Sequence, residues 1–502
     1  MILILLTCGI AYINSFVMLL GTNSLDSSAS VLFIAFFVLV FSSSKNLFWL
    51  ILFPLVLLHA IYIPLGLMYG PLHYSFWIAG AAADISELSE FFQLVDRSSV
   101  SYSVLLVVLI IINRCMIVKY KISLYKNYTF MSIGILCSML VFLPNSIFQQ
   151  MYISLQDLRE EYKKIELLRE KNDWKHVSRN DDLKQYDTYV LVIGESPRKD
   201  YHYAYGYPIE NTPFMSESRG VVISGLTSGG SASVSSLRLM LTLAQTIDWS
   251  ARYSLNLVDL VKSSDITTYW LSNSGYLGEH DTPVTAIAKS SDVVNFLKTG
   301  DYSSKNTSDF DLLLELQKVL MINQKQPKFI VLHLYGSHPD ACQRIDDYHL
   351  ITTVSNAYYS NLNCYVSSIH KTDEFLAKVY ELLKEQRDLN NKSFSMVYFS
   401  DHGLVHKEVS DELRLNNNML SKYHYEIPLF KISSDDTERK ECRSFKSGLN
   451  FTNGIANWMG ITADQLDPNY SLFDCQDDPN DFGLSEKIKV GVDDPAIDIT
   501  GK

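Results

Sequence analysis

Basic residues are in short supply in this 502-residue chain: 43 Lys and Arg stand against 55 Asp and Glu, for a net charge of −12. That balance denies it the basic face on which a nucleic-acid partner relies. Cysteine is sparse as well, at seven residues. Cys8, Cys115 and Cys137 lie in apolar stretches, where a thiol acts as a small hydrophobe. Cys342, Cys364, Cys442 and Cys475 lie in the polar part of the chain. If that part is exported, disulfides are permitted, and four cysteines allow three pairings. Cys364, in a helix-like stretch, reads equally well as a free buried thiol. Long apolar runs are missing beyond about residue 150, and the first apolar run lacks the basic leader of a signal peptide, so it reads as a retained helix.

What is present before residue 150 is a membrane half. Five stretches, at approximately 2–21, 29–43, 46–69, 102–118 and 129–147, come near the roughly 20 apolar residues needed to cross a bilayer. The second is the shortest. Lys45 punctuates the second and third stretches, and Arg114, Lys119, Lys121 and Lys126 follow in the fourth and the loop after it. The segment 70–101 instead carries Asp84, Glu87, Glu90 and Asp96 against Arg97 alone. Positive residues mark cytoplasmic loops, so the N-terminus is expected in the cytoplasm and the polar half outside it. The segment 79–94 interleaves acidic and apolar residues; an amphipathic helix on the membrane surface and a polar loop with a short helix fit it equally well.

The expected organisation is a transmembrane domain at 1–149, a charged bridging segment at 150–185 and a third domain at 186–502. In the bridge, Leu158, Tyr162, Ile165 and Leu168 recur at helical spacing, which predicts a helix able to press an apolar stripe on the domain that follows. From 186 onward short apolar runs (TYVLVIGES, GVVISG, ITTYWLSN, KFIVLHLYGSH, FSMVYFSDHG) alternate with helical stretches at 253–263, 308–323 and 355–386. This alternation predicts an α/β domain with a mostly parallel central sheet, whose ligands sit beyond the carboxyl ends of the strands. Three of the runs end in chemically capable residues: Glu195, His338 and the pair Asp401-His402. Carboxylates and imidazole suit zinc or manganese. The nucleophile is sought in GGSASVSS at 229–236, where small residues give way to a helical pattern and Ser231 falls near a helix N-terminus, a place that favours phosphate. Ser228 and Ser233 offer alternative registers, and a serine-rich cap is often inert. His338 is positioned to protonate a leaving group or hold a phosphate oxygen. His333 reads as a core histidine, and His406 and His424 are weaker candidates.

These motifs resemble those of the phosphoethanolamine transferases of Gram-negative envelopes, in the alkaline-phosphatase-like, sulfatase-like superfamily. The resemblance rests on VIGESPRKDYHYAYGYPIENTP at 192–213, GGSASVSS at 229–236, YGSH at 335–338, YSNLNCYVSSIHKTDEFL at 359–376 and SDHG at 400–403, in the family's order. It implies a five-helix transmembrane domain in the inner membrane and a periplasmic sulfatase-like domain. It implies zinc on Glu195, Ser231, Asp401 and His402, with Ser231 as nucleophile in place of the family's threonine. His338, Asn273 of YWLSNSG and, loosely, His406 would contact substrate. The donor would be phosphatidylethanolamine and the acceptor an envelope glycan, lipopolysaccharide first, through a phosphoethanolamine-serine intermediate. Leu404 stands where the family often has Glu, and Pro339-Asp340 where it has Gly-Pro. A phosphoglycerol transferase of the same superfamily and a non-catalytic membrane protein are the alternatives. A sulfatase proper is disfavoured, because Ala232-Ser233-Val234 after Ser231 breaks the Cys/Ser-x-Pro-x-Arg pattern.

Overall fold

The computed structural model describes residues 2–23, 25, 28–82, 95–122, 124–129, 131–132, 147–168, 171–180, 183–274, 282–298, 307–409, 411–417 and 420–502. Packing divides the chain into two compact units, 1–77 with 91–160, and 78–90 with 161–502.

The first unit is helical: α1 (Ile2–Gly21), α2 (Ser28–Ser43), α3 (Lys45–Tyr69), the first turn of α4 (Tyr74–Ala82) and α5 (Arg97–Lys119). Among the described residues, α1, α3 and the stretch Ser98–Lys119 of α5 are long and apolar enough to cross a membrane. At 16 residues, α2 is apolar but short. The fifth expected span, 129–147, falls almost wholly outside the described residues, as does most of the 79–94 segment. Ala11, Val38, Val56, Ile63, Leu106 and Ile110 form the contact core of α1, α2, α3 and α5. Leu50 and Ile61 of α3 stay exposed, as residues facing lipid do.

Helix α6 (Ile147–Leu168) follows. Its Ile165 and Tyr162 join the core of the second unit. Its buried Glu161 accepts hydrogen bonds from Arg238 (3.4 Å) and from the Tyr253 hydroxyl.

The second unit is built on an eight-stranded sheet: β1 (Thr188–Gly194), β2 (Val221–Thr227), β3 (Thr267–Ser272), β4 (Val293–Phe296), β5 (Lys328–His333), β6 (Phe394–Ser400), β7 (Leu429–Ser433) and β8 (Lys440–Ser447). Across the sheet the order is β8-β2-β7-β6-β1-β5-β3-β4. Only β7 runs antiparallel. Strands buried on both faces read as continuous apolar runs, which is why β1, β5 and β6 were legible. Their alternate residues feed two cores. Tyr189, Leu191, Ile193, Val331, Val397 and Phe399 face one. Val190, Val192, Ile330, Leu332, Met396 and Tyr398 face the other. Helices α8 (Asp311–Met321) and α9 (Ser360–Asn390) cover the second core with Leu312, Leu316, Phe375, Leu376, Val379 and Leu383, at three- and four-residue spacing. Each such buried side chain contributes about 1.5–3 kcal/mol. Disulfides join Cys342 to Cys364 and Cys442 to Cys475, which selects one of the three pairings and corrects the reading of Cys364 as a free thiol.

Candidate metal centre and its serine

The parallel register of β1 and β6 brings Gly194 opposite Ser400, so Glu195 and Asp401 leave the sheet side by side at its carboxyl edge. The Asp401 amide donates to the Gly194 carbonyl (3.0 Å), which closes the last rung. Glu195, Asp401 and His402 are all buried and can bring one ligand atom each within 4.8 Å of the others. Among the described residues this is the one such group of His, Cys, Asp and Glu.

The chain between and around them is held closely. Ser196 adopts φ +69°, a left-handed conformation costing roughly 1–2 kcal/mol in an L-residue. It is kept there by its amide donating to Asp401 Oδ1 (2.9 Å), its hydroxyl donating to Glu195 Oε1 (2.8 Å) and its carbonyl accepting from the Tyr365 hydroxyl (2.9 Å). Gly403 leaves no room for a Cβ, which would lie 2.1 Å from the Tyr423 carbonyl oxygen. Gly336, at φ +50°, lies so close that a Cβ would come 2.9 Å from the Glu195 backbone, and the next amide, Ser337, donates to the Glu195 carbonyl (2.9 Å).

Within the serine-rich run 229–236, the hydroxyl in contact with the triad side chains is that of Ser233. Its hydroxyl lies 3.1 and 3.0 Å from the two Glu195 oxygens and 3.2 Å from His402 Nε2. It is the first residue of α7 (Ser233–Met240). The sequence alone places Ser231 at this point; the structure brings Ser233 there instead. Ser231 falls two residues before the helix and lies against the Tyr425 hydroxyl. Ser228 is buried, donating to the Gly230 carbonyl (2.7 Å) and the His424 carbonyl (3.1 Å). The run of similar serines hid the true start of the helix. Ser236, one turn on, pins α7 to the site by donating to the Asp401 carbonyl (2.6 Å).

The electrostatics favour a cation. Burial disfavours both carboxylate charges, and the neighbouring Glu195 charge adds to burial in pushing the Asp401 carboxyl up. Glu195 is held below its usual range, because hydrogen bonding and the charge of His402 outweigh its desolvation. Burial alone would lower His402, but Asp401 and Glu195 push it up to about 9. His402 Nδ1 donates to the Gly403 carbonyl (2.6 Å), leaving Nε2 turned to the carboxylates at 3.4–3.5 Å. That arrangement is the usual way of fixing a metal-binding imidazole. Asp401 Oδ2 is buried and takes no hydrogen bond, an orphaned acceptor that a metal ion would satisfy. Two carboxylates, one imidazole nitrogen and one hydroxyl match a four-coordinate zinc site in number and kind.

The remaining expected residues take other places. His338 follows the loop that clasps Glu195; it stacks on Tyr335 with ring centroids 5.1 Å apart, and its Nδ1 donates to the Pro339 carbonyl (2.6 Å). The structure does not bring Asn273 to the cluster. Its amide donates to Asp309 (2.7 Å) and the Thr307 carbonyl (2.9 Å), and Asp309 in turn accepts from the Tyr335 and Gly336 amides, so Asn273 braces the loop beside Glu195. His406 is likewise spent, between the Tyr201 hydroxyl (2.6 Å) and Asp494 (3.3 Å). His424 comes closer, stacking on His402 at 6.4 Å, but its two nitrogens meet Ser421 (2.9 Å) and Asn417 (2.9 Å), and burial pushes it down to about 3.

The sulfatase family model matches residues 187–461. A "Putative phosphoethanolamine transferase" of Haemophilus influenzae is 46% identical over 365 residues, covering 72% of this chain and 75% of that protein. Phosphoethanolamine transferase OpgE of Escherichia coli is 36% identical over 288 residues, covering 57% of this chain and 53% of its own length. Among solved structures, the integral membrane lipooligosaccharide phosphoethanolamine transferase A of Neisseria meningitidis superposes with a TM-score of 0.55 at 15% identity, covering 87% of this chain and 89% of its own. The periplasmic domain of Escherichia coli EptC, in complex with zinc, superposes at 0.50 and 20% identity, covering 60% and 89%. The EptC domain shares the fold over 60% of this chain, and the membrane protein of Neisseria meningitidis shares it over 87%.

Proposed function

Because the chain belongs to the sulfatase family, and within it to the phosphoethanolamine transferases, we propose that it moves phosphoethanolamine from phosphatidylethanolamine to an envelope glycan through a covalent intermediate on Ser233. The observation that carries this reading is the Ser233 hydroxyl, 3.0–3.2 Å from both Glu195 and His402 at the carboxyl edge of the sheet. Glu195, Asp401, His402 and Ser233 would hold a zinc ion, which supplies positive charge to stabilise a serine alkoxide and the phosphoryl oxygens. Zinc is favoured over manganese by the imidazole donor and by the zinc complex of EptC.

The residues then divide the work. Ser233 Oγ attacks phosphorus and gives up its proton toward Glu195; the Oγ–P bond forms as the P–O bond to diacylglycerol breaks. His338, next in chain to the loop against Glu195, supplies a proton to the departing oxygen. An acceptor hydroxyl or phosphate reverses the sequence, forming its own bond to phosphorus as the Oγ–P bond breaks. The acceptor is read as lipopolysaccharide or another envelope glycan.

The expected location is the inner membrane, N-terminus in the cytoplasm and sulfatase-like domain in the periplasm. Two disulfides support an oxidising compartment for that domain, and the apolar helices support membrane anchoring. The test is headgroup transfer from purified protein given labelled phosphatidylethanolamine or labelled phosphatidylglycerol, with lipopolysaccharide and a soluble glucan as acceptors. Label moving only from phosphatidylglycerol would assign the chain to phosphoglycerol transfer instead.

A further inference from the structure

The motif residues leave a buried ionic cluster unused. Arg198 is fully buried, three residues after Glu195, and its guanidinium pairs with Asp200 (2.6 Å) and with Asp494 (3.2 Å) of the C-terminal tail. Its second amino group also donates to the Asp494 carbonyl (2.7 Å). The Asp494 carboxylate does more than neutralise this charge. Its Oδ2 accepts from the His406 amide (2.8 Å) as well as from Arg198, and its Oδ1 accepts from the Ser421 hydroxyl. Val492, two residues earlier, exchanges backbone bonds with Leu420 (2.9 Å) and Lys422 (3.3 Å).

Each of these contacts leads to one donor of the metal centre. Arg198 follows Glu195, and its amide shares the Tyr365 hydroxyl with the Ser196 carbonyl. Arg198 Cγ also lies 2.9 Å from where a Cβ on Gly403 would project, directly after His402, and its guanidinium donates to the Leu404 carbonyl (3.4 Å). His406 stands in the strand Val405–Val409 that follows the same loop. The Ser421 amide donates to His424 Nδ1 (2.9 Å); the His424 carbonyl accepts from the Gly403 amide (2.9 Å) and from Ser228 (3.1 Å), at the head of the loop that presents Ser233. One carboxylate more than ninety residues from His402 in sequence thus ties together the loops of Glu195, of Asp401-His402 and of Ser233. Burial raises the cost of ionising Asp494, yet His406, Arg198 and Ser421 hold it down to about 2, so the clamp is charged under all ordinary conditions.

We propose that Asp494 is a positioning residue of the metal centre, with the C-terminal tail acting as the clasp that holds its three donor loops in register. The inference rests on the metal reading above. Partners that orient metal ligands typically account for about 10–100-fold in metal affinity.

The experiment uses the full-length protein in detergent and compares Asp494→Asn with Asp200→Asn. Both remove a partner of Arg198, but only Asp494 reaches His406 and Ser421. Zinc loss to a chelator is timed at a temperature well below both melting transitions, alongside kcat and KM for phosphatidylethanolamine. Asp494→Asn is expected to release zinc about tenfold faster or more than Asp200→Asn, with kcat lowered and KM unchanged. Equal zinc loss from the two variants, or wild-type retention in Asp494→Asn, would overturn the proposal. If Asp494→Asn does not fold, Ser421→Ala carries the test: faster zinc loss at a near-normal melting temperature supports the clasp, and normal zinc retention overturns it. Wild-type protein that holds no zinc would instead overturn the metal reading, and the clasp with it.

Discussion

Replacing Ser233 by alanine removes one oxygen from the centre of the site and little else. Its hydroxyl contacts Glu195 at 3.0 and 3.1 Å and His402 at 3.2 Å. A hydrogen bond to a charged group is worth about 1.5–3 kcal/mol, so a modest loss of stability and weaker zinc retention are expected. The effect on the reaction is larger. Without the attacking oxygen no covalent intermediate forms, and diacylglycerol release from phosphatidylethanolamine should fall at least about a thousandfold, or roughly 4 kcal/mol of barrier. Ser233→Thr keeps the oxygen and should retain activity. Ser231→Ala loses a neutral contact with Tyr425, worth about 1 kcal/mol, and should turn over near the wild-type rate. The assay is diacylglycerol release by thin-layer chromatography, with zinc content measured on the same samples. An inactive Ser231→Ala beside an active Ser233→Ala would refute the register drawn from the structure.

Zinc affinity should rise with pH. The buried carboxylates hold His402 protonated up to about 9 and Asp401 is itself pushed up, so zinc must displace protons from the cluster. Competition titrations should show about a tenfold gain per pH unit below 9, steeper toward acid as Asp401 protonates; a flat profile from pH 6 to 9 would contradict this electrostatic account. Reduction of the disulfides should lower the melting temperature of the sulfatase-like domain. Their sequence separations of 22 and 33 residues correspond to about 3–4 kcal/mol each in the chain-entropy account; unchanged melting in reductant would show that neither bridge matters to stability.

The parts of this fold that read clearly in the sequence are those buried on both faces. β1, β5 and β6 are unbroken apolar runs because the sheet covers them on both sides, and their ends carried Glu195 and Asp401-His402 into view. β4, β7 and β8 went unread for physical reasons. β4 has four residues, VVNF, too few to show a period. β8, KECRSFKS, is an edge strand with one side polar, as edge strands are. β7 follows Pro428 and runs against its neighbours. Which of Ser228, Ser231 and Ser233 meets the triad is illegible in the sequence, because it depends on where α7 begins and all three serines suit a cap. Asn273 and His406 look like substrate contacts in the sequence because a polar residue near a strand end carries no mark of whether its partner is a ligand or another loop. The tail residue Asp494 gave no signal at all; its meaning lies in contacts with residues 198, 406 and 421, far away in the chain.

On the reading proposed above, Glu195, Ser233, Asp401 and His402 form one metal centre. Anomalous diffraction at the zinc edge from crystals of the purified protein tests it most directly. A single strong peak is expected about 2.0–2.2 Å from Glu195, Asp401 and His402, with Ser233 Oγ or its phosphoethanolamine ester completing the set. Crystals grown with zinc present that show no peak there, or show it on Ser231, would rule out this metal centre.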